Sequence, residues 1–290
     1  MKIIVIIGPT GVGKTKLSLE LASIYNAEII NADAMQIYKE MNIGTAKIID
    51  TKGIKHHLLS IKSIDEKYSV CDYQKDARKI LGNFIKQDKN VIIVGGTGLY
   101  IKALLYDYKF KDEINIDSFD NFTNQQLLEE VNKYTNTDIH INNRKRLVRL
   151  LNKIKNESLE KNENGNKLLY DNVYFIGLTT NRDTLYERIN NRVDEMIDEG
   201  LIEEAKNLYN KNKNSIALNT AIGYKELFKF FKKEISKEDA IELIKRNSRR
   251  YAKRQYTWIN NKMNVKWFNV NLINFDKTVK EVIDYLEKNC

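Results

Sequence analysis

A stretch near the start of the chain has the residue types and spacing that bind phosphate. Residues 8–15 are Gly-Pro-Thr-Gly-Val-Gly-Lys-Thr, which matches the P-loop pattern G-x-x-x-x-G-K-[ST]. Glycines allow backbone amides to surround phosphate oxygens, and the lysine adds a positive charge. The residues predicted to hold a diphosphate or triphosphate are Gly8, Thr10, Gly11, Gly13, Lys14 and Thr15. The Thr15 hydroxyl is also the expected ligand of a Mg²⁺ cofactor.

A single carboxylate, Asp33, is placed to activate the acceptor of a group transferred from that phosphate. It follows the short strand-like run 28–30, and the carboxyl ends of parallel strands form the ligand crevice of an open α/β sheet. A carboxylate there can take a proton from an acceptor while the P-loop holds the leaving phosphates. The alternative, which is compatible with this role, is that Asp33 caps the N-terminus of a following helix.

A second glycine-rich segment follows another apolar run, at 91–94. Residues 95–98 are Gly-Gly-Thr-Gly, which would let the backbone approach a ligand closely while Thr97 offers a hydroxyl. A plain strand-to-helix turn is the alternative. Motor and helicase NTPases usually carry an acidic residue at this strand end, and this chain has none there. The segment therefore favours a transferase over an NTPase that remodels RNA.

Near the C-terminus, residues 244–258 predict a strongly basic helix with six basic and no acidic side chains. The basic residues form two rows at i, i+4 spacing: Lys245, Arg249 and Lys253, and Arg246, Arg250 and Arg254. A run of one charge sign is unfavourable unless an anion neutralises it, which favours a nucleic-acid surface over a solvated face. We expect Ile244, Tyr251 and Trp258, on the other side of this helix, to be core residues rather than base-stacking residues.

The elements that must position these groups alternate between strand and helix. The apolar run 3–7 predicts a buried parallel strand, and leucines at helical spacing predict a helix over 14–25. Further strands are predicted at 28–30, 91–94 and 173–178, with a helix at 70–87 and an almost wholly helical chain after residue 180. This order predicts an α/β fold, a P-loop NTPase-like parallel sheet flanked by helices.

One segment interrupts the alternation. Residues 108–142 lack a strong strand signal, and we predict a small helical insertion domain there, with the P-loop core formed by 1–107 and 143–290. The basic amphipathic helix predicted at 144–155 follows it.

Composition limits the class of protein. The chain has 290 residues, with 48 Lys and Arg against 39 Asp and Glu, a net charge of +9. One proline and two cysteines exclude collagen-like chains and disulfide scaffolds. No apolar stretch approaches the roughly 20 residues of a membrane helix. We therefore expect a cytoplasmic protein with no membrane association and an anionic partner.

Several blocks together resemble the tRNA dimethylallyltransferases. The blocks lie at residues 33–38, 43–47, 56–58, 95–100, 139–149, 192–196, 200–201, 222–226 and 252–258. A P-loop alone is shared by many enzymes, whereas this combination, spread over residues 3–268, is highly specific. The resemblance implies transfer of a dimethylallyl group from dimethylallyl diphosphate to N6 of the adenosine 3′ of the tRNA anticodon, with release of diphosphate.

The resemblance also implies roles for individual residues. Asp33 would accept the N6 proton, Thr97 would align a substrate, and Lys14 would stabilise the leaving diphosphate. Arg192 would clamp the diphosphate; a surface salt bridge with Asp194 or Glu195 is the alternative. The expected contacts to the tRNA anticodon stem-loop are Asp33, Ala34, Met35, Gln36, Lys145, Arg146, Arg149, Arg246, Arg250 and Arg254. No obligate protein partner is implied, and we expect a monomer.

The main competing interpretation is a small-molecule or nucleotide kinase. Such an enzyme would share the P-loop sheet, a helical lid and an acidic base. The absence of an arginine-rich lid loop and the basic helix at 244–258 count against it.

Overall fold

The computed structural model describes residues 1–110, 117–156 and 166–289. Within them, the strands are β1 (Ile3–Ile7), β2 (Glu28–Asn31), β3 (His56–His57), β4 (Val91–Gly95), β5 (Val173–Thr179) and β6 (Lys266–Asn269). They form one six-stranded sheet in the order β3-β2-β4-β1-β5-β6, and all pairings are parallel. The predicted P-loop type of parallel sheet is confirmed.

The described part of the chain also contains helices, some of which pack on the two faces of the sheet. The helices are α1 (Lys14–Ile24), α2 (Val70–Lys86), α3 (Gly98–Leu105), α4 (Asn124–Asn132), α5 (Arg144–Lys155), α6 (Arg182–Asp198), α7 (Leu201–Asn212), α8 (Ile216–Thr220), α9 (Tyr224–Phe231), α10 (Lys237–Lys262) and α11 (Phe275–Lys288). The prediction of an almost wholly helical chain after residue 180 missed β6. This short strand pairs with β5 at the sheet edge, a tertiary contact that four residues of local sequence do not reveal.

The strand β1 explains why the sheet has a core on both faces. Ile4 and Ile6 belong to one apolar cluster, with α1 and α11, while Ile3, Val5 and Ile7 belong to the other, with α2 and α3. Because neither face of this strand is exposed to solvent, all of its side chains can be apolar, which accounts for the continuous apolar run.

A third apolar cluster joins helices α6 to α10. Val193, Leu201, Leu227 and Ile244 are buried in it, and Tyr224 is fully buried beside them. This helical layer belongs to the same compact unit as the sheet, a unit comprising residues 1–106 and 168–290.

The strand order brings the predicted chemical groups to one edge. The P-loop follows β1, Asp33 follows β2, and residues 96–98 follow β4, which pairs with both of those strands. Because the three strands are parallel neighbours, their carboxyl ends meet. The crevice predicted at this edge is therefore present.

Residues 107–167 form a second compact unit, longer than the predicted insertion of 108–142. The difference lies in α5, which the prediction assigned to the P-loop core. Its apolar residues Leu147, Leu151 and Ile154 are buried with Leu127 and Val131 of α4. An amphipathic helix joins the unit that covers its apolar stripe, and here that stripe is covered by α4.

No helix in the part of the chain that the structure describes is both long enough and apolar enough to span a membrane.

Candidate active site

The P-loop joins β1 to α1 in the geometry that its sequence predicts. Gly13, at the start of α1, has φ +101°, and a Cβ there would lie 2.9 Å from the Phe275 ring. Both facts require glycine. The Lys14 ammonium donates to the Pro9 carbonyl at 2.7 Å, which fixes it across the loop.

A polar cavity of about 440 Å³ opens over this loop. Its walls include Thr10, Gly11, Gly13, Lys14 and Thr15 of the P-loop, Asp33 after β2, Gly96 after β4, and Arg188 and Arg192 of α6. Backbone amides, two arginines and a lysine suit an anion with several phosphate oxygens. We call this space the polar cavity.

A second cavity of about 330 Å³ adjoins it and has mainly apolar walls. Its apolar side chains come from four separate segments of the helical layer: Ile189, Val193, Met196, Leu201, Ile222 and Ile244. Asp33, Thr10, Thr45, Arg192 and Tyr251 line both spaces. We call the second space the apolar cavity; the shared residues form the boundary between the two.

The Asp33 carboxylate is oriented by its own turn. Asp33 Oδ1 accepts the Met35 amide at 2.9 Å, and the Asp33 amide donates to Asn31 Oδ1 at 3.2 Å. Asn31 is buried and anchors the turn to the Leu58 carbonyl at 3.0 Å. No helix follows in residues 32–55, so the alternative role as a helix cap is wrong, although the carboxylate does cap a turn.

Thr97 ties the glycine-rich segment to the Asp33 turn. Its amide donates to the Ala32 carbonyl at 3.1 Å, and its Oγ1 accepts the Ala34 amide at 3.1 Å. Thr97 also lines the apolar cavity, and its hydroxyl is a hydrogen-bonding neighbour of Tyr251. The segment is thus a strand-to-helix turn, because α3 starts at Gly98, and a cavity wall at once.

Lys14 of the polar cavity and Arg192 of the boundary are close enough to interact electrostatically, and burial lowers the pKa of both. Burial lowers the pKa of Lys14 to about 8, with the Arg192 charge as the second cause, while Asp33 acts to raise it. Burial likewise lowers the pKa of the Arg192 guanidinium, and Asp33 again opposes the change. Removing these charges from water is costly, and an incoming polyanion would offset that cost.

Arg192, the predicted diphosphate clamp, lies at the wall of the polar cavity. Arg192 Nη1 donates to Thr10 Oγ1 at 3.4 Å and lines both cavities. Of the two alternative salt-bridge partners, Asp194 pairs instead with Lys245 at 2.7 Å, while Glu195 is a nearby negative charge that acts to raise the pKa of Arg192. Arg188, one turn earlier on α6, donates to the Gly11 carbonyl at 2.9 Å, and sequence reasoning missed it.

The other predicted ligand residues fall in different places. Gly8 is absent from the cavity walls: a Cβ there would lie 2.6 Å from the Leu178 carbonyl, so it serves contact with β5 rather than phosphate. Ala34 and Met35 line the apolar cavity. Gln36 lines the polar cavity and donates to the Thr45 carbonyl at 3.1 Å.

The two basic rows of α10 have different environments. In the first row, Lys245 pairs with Asp194, and Arg249 donates to Asn190 Oδ1, so both face α6; Lys253 is exposed. The second row, Arg246, Arg250 and Arg254, is exposed along its whole length. Arg254 also lines the apolar cavity. The second row is therefore exposed throughout, whereas in the first row only Lys253 is exposed.

The predicted tRNA contacts of the second unit lie on α5. Lys145, Arg146 and Arg149 are all exposed there. The adjacent Arg144 instead donates to the Phe119 and Phe122 carbonyls, which makes it a structural residue of that unit.

Tyr251 and Gln255 are site residues that the sequence prediction did not identify. Tyr251, predicted as core, lines both cavities, and burial, with Asp33 as the second cause, raises its pKa to about 12. Gln255 is buried and lines the polar cavity. The available signal was its position: Gln255 falls between Ala252 and Ile259 on the apolar stripe of the helix, where an amide needs buried partners.

The polar cavity also fits a magnesium ion held together with phosphate. The Thr15 hydroxyl is exposed at its wall, and Asp33 and Glu195 are the nearby carboxylates. Mg²⁺ keeps several waters and takes few protein ligands beside substrate phosphates, so one hydroxyl and neighbouring carboxylates are a suitable set.

The chain is similar in sequence to proteins named tRNA dimethylallyltransferase. The family model described as IPP transferase matches residues 36–262. The chain is 46% identical to a tRNA dimethylallyltransferase of Anoxybacillus flavithermus, over 99% of this chain and 96% of that one. It is 44% identical to a tRNA dimethylallyltransferase of Bacillus anthracis, over 99% of this chain and 95% of that one.

Solved structures show the same fold. A crystal structure of tRNA isopentenylpyrophosphate transferase from Bacillus halodurans matches with a TM-score of 0.78 and 40% identity, covering 99% of this chain and 97% of that one. A eukaryotic dimethylallyltransferase acting on tRNA matches with a TM-score of 0.81 and 27% identity, covering 98% of this chain and 78% of that one.

Proposed function

The chain belongs to the IPP transferase family, and from this premise we propose that it transfers a dimethylallyl group from dimethylallyl diphosphate to N6 of the adenosine 3′ of the tRNA anticodon. The family predicted from the sequence blocks is confirmed. The kinase alternative belongs to another family and is set aside.

The polar cavity supports the placement of the diphosphate. The amides of the P-loop, Lys14 and Arg192 surround a space of about 440 Å³. Negative charge grows on the diphosphate as its bond to the allylic carbon breaks. Donors already fixed around that charge stabilise the transition state without having to reorganise.

Asp33 supplies the second half of the chemistry. The N6 amine of adenine is a weak nucleophile because its lone pair is delocalised into the ring. A carboxylate that accepts its proton strengthens it as the new C–N bond forms, and a positioned base contributes about 10² to 10⁴ in rate. Thr97, which lines the same apolar cavity as Asp33, is proposed to orient the adenine.

The apolar cavity supports the placement of the dimethylallyl group. It adjoins the polar cavity across Thr10 and Arg192, so a chain attached to the diphosphate can extend directly into it. Its apolar walls shield the reacting carbon from water, which would otherwise compete with adenine.

Mg²⁺ is the proposed cofactor, with Thr15 as its protein ligand at the polar cavity. When bound, the ion would add positive charge beside the leaving diphosphate. Lys14 and Arg192 perform the same task from the protein side.

The tRNA is proposed to approach through the exposed row Arg246, Arg250 and Arg254. Arg254 lies at the wall of the apolar cavity, so a phosphate held there would leave its nucleotide next to Asp33. The adenine must leave its stack to enter, at a cost of a few kcal/mol that phosphate contacts offset. Lys145, Arg146 and Arg149 of the second unit are proposed as further phosphate contacts. Since one chain supplies every group of the site, we propose that the enzyme acts as a monomer, in the cytoplasm.

One observation carries the proposal: the Asp33 carboxylate lines both the phosphate-binding cavity and the adjoining apolar cavity. The test is to incubate the protein with labelled dimethylallyl diphosphate, Mg²⁺ and unmodified tRNA. We expect label in the adenosine 3′ of the anticodon. Absence of label together with phosphoryl transfer or nucleotide hydrolysis would overturn the proposal.

A further inference from the structure

The helix α10 carries a buried amide on its apolar side. Gln255 is 6% exposed, and its neighbours on that side, Ala252 and Ile259, are each 1% exposed. A buried amide without hydrogen bonds destabilises the folded state, so such a residue is retained where its partners matter.

Its two partners belong to two different loops of the active site. Gln255 Oε1 accepts the Thr10 amide of the P-loop at 2.9 Å, and Gln255 Nε2 donates to the Gly96 carbonyl at 2.9 Å. These loops follow β1 and β4, which are neighbours in the sheet. One planar group with an acceptor and a donor can satisfy both at once, which no hydroxyl or carboxylate side chain matches in this geometry.

The glycine-rich segment is shaped around this side chain. A Cβ at position 96 would overlap Gln255 Nε2, so a larger residue there would displace the Gln255 amide from its hydrogen bonds. This close approach gives Gly96 a reason that a simple turn does not supply. The Tyr251 hydroxyl, which lines both cavities, also has Gln255 among its hydrogen-bonding neighbours.

We propose that Gln255 is a positioning residue that holds the P-loop and the Gly96 loop at the separation needed to bind the diphosphate. The argument rests on the proposed function for the identity of the ligand, but its geometry stands on the two hydrogen bonds. By fixing the Thr10 amide, Gln255 leaves the remaining P-loop amides directed into the polar cavity. Gln255 thus maintains the shape of the polar cavity and does not contact the reacting atoms.

The test compares Gln255→Met with Asn247→Met. Methionine keeps the length and volume of glutamine but forms neither hydrogen bond. Asn247 lies on the same helix and donates to Glu226 at 2.7 Å, away from both cavities. For Gln255→Met we expect the Kd of inorganic diphosphate and the KM of dimethylallyl diphosphate to rise about tenfold, as for the loss of two buried hydrogen bonds. The Kd of tRNA should stay within about twofold for both variants, because neither removes a basic side chain.

A second variant, Gln255→Glu, gives a readout that a packing role would not move. A protonated carboxyl has one acceptor and one donor, as the amide has, whereas the ionised form cannot donate to Gly96 and repels the diphosphate. We expect the ratio of its diphosphate Kd to that of wild type to fall as the pH is lowered from about 8 to about 5.5, where a buried carboxyl gains its proton. Taking the ratio removes the titration of diphosphate itself. The ratio for Gln255→Met should not change with pH.

The outcomes separate this inference from the function on which it rests. Wild-type protein that binds diphosphate but does not prenylate tRNA would overturn the proposed function alone. Unchanged diphosphate affinity in Gln255→Met, or a pH-independent ratio for Gln255→Glu, would overturn the positioning role. A variant that loses tRNA and diphosphate affinity equally, with a large fall in melting temperature, would also overturn it, because Gln255 would then serve folding only.

Discussion

The two cavities of the active site are built in different ways although they share a boundary. The polar cavity is formed largely by short continuous segments, the P-loop and the turns after β2 and β4. The apolar side chains of the other cavity come from α6, α7, α10 and the segment before α9. Phosphate recognition uses backbone amides, which need a fixed local conformation. Apolar recognition needs only shape, so its residues can come from anywhere that the fold brings together.

This difference predicts that substitutions in the two cavities have separable effects. Changes in the polar cavity should alter the affinity for diphosphate, whatever group it carries. Changes in the apolar cavity should alter affinity only when the dimethylallyl group is present. At the boundary, the carboxylate Asp33 should affect the reaction more than binding, whereas the cation Arg192 should affect the binding of diphosphate.

The largest effect is expected at the boundary, from Asp33→Asn. In the wild-type chain, the Met35 amide donates to Asp33 Oδ1 at 2.9 Å. Asparagine keeps an Oδ1 acceptor for this amide but cannot take a proton from N6. Single-turnover transfer should fall about 10² to 10⁴-fold. The affinities for tRNA and for diphosphate should change little. Similar losses of binding and catalysis would show that Asp33 acts through the turn, and the two cavities would then lack a shared catalytic group.

The sequence predicts residues of short local segments better than residues that the fold brings together. Asp33, Thr97 and Lys14 were identified because each belongs to a local motif at the end of a strand. Tyr251 was taken for core, because heptad spacing shows which side of α10 it shares with Ile244 but not that a cavity opens there.

Other differences have the same physical origin, namely contacts between segments distant in sequence. Gln255 was missed because its partners, Thr10 and Gly96, lie 245 and 159 residues away in sequence, respectively. The predicted insertion ends before α5 because the sequence shows an amphipathic basic helix there but does not show what covers its apolar stripe. Only packing against α4 reveals the unit to which α5 belongs.

The second largest effect is expected in the polar cavity, from Arg192→Met. Methionine removes the charge while it keeps much of the side-chain length. Loss of a charge-assisted hydrogen bond is worth about 1.5 to 3 kcal/mol, or about 10- to 100-fold in affinity. Titration calorimetry should show this loss equally for inorganic diphosphate and dimethylallyl diphosphate.

The matched control for that experiment is Arg182→Met. Arg182 lies on the same helix, and its guanidinium stacks on Tyr186 at 5.1 Å from the ring centre, outside both cavities. Its diphosphate affinity should equal that of wild type. If Arg192→Met lost affinity only for dimethylallyl diphosphate, Arg192 would act on the dimethylallyl group, and the proposed difference between the two cavities would be wrong.

A smaller effect is expected at the entrance, from the double variant Arg250→Ala with Arg254→Ala. Both side chains are exposed, so their removal should reduce the slope of log affinity for tRNA against log salt by about 0.7 to 0.9 per phosphate contact. Filter binding over a range of salt concentrations measures this slope. Diphosphate affinity should not change.

The control has the same loss of charge from the same helix. In Lys245→Ala with Arg249→Ala, the removed groups pair with Asp194 and Asn190 on α6. We expect the salt slope of this variant to match wild type. Equal slopes for the two double variants would mean that only net charge matters, and that the exposed row has no specific part in RNA binding.

The smallest effect is expected from Ile222→Val in the apolar cavity, and it tests the comparison most finely. This change removes one methylene from the cavity wall, worth about 0.8 kcal/mol or about fourfold in affinity. The KM of dimethylallyl diphosphate should rise by that factor, and the Kd of inorganic diphosphate should not. Ile241→Val, in the same helical cluster but outside the cavity wall, should change neither. If Ile222→Val instead weakens tRNA binding, the apolar cavity holds the adenine, and the dimethylallyl group must lie elsewhere along the polar cavity.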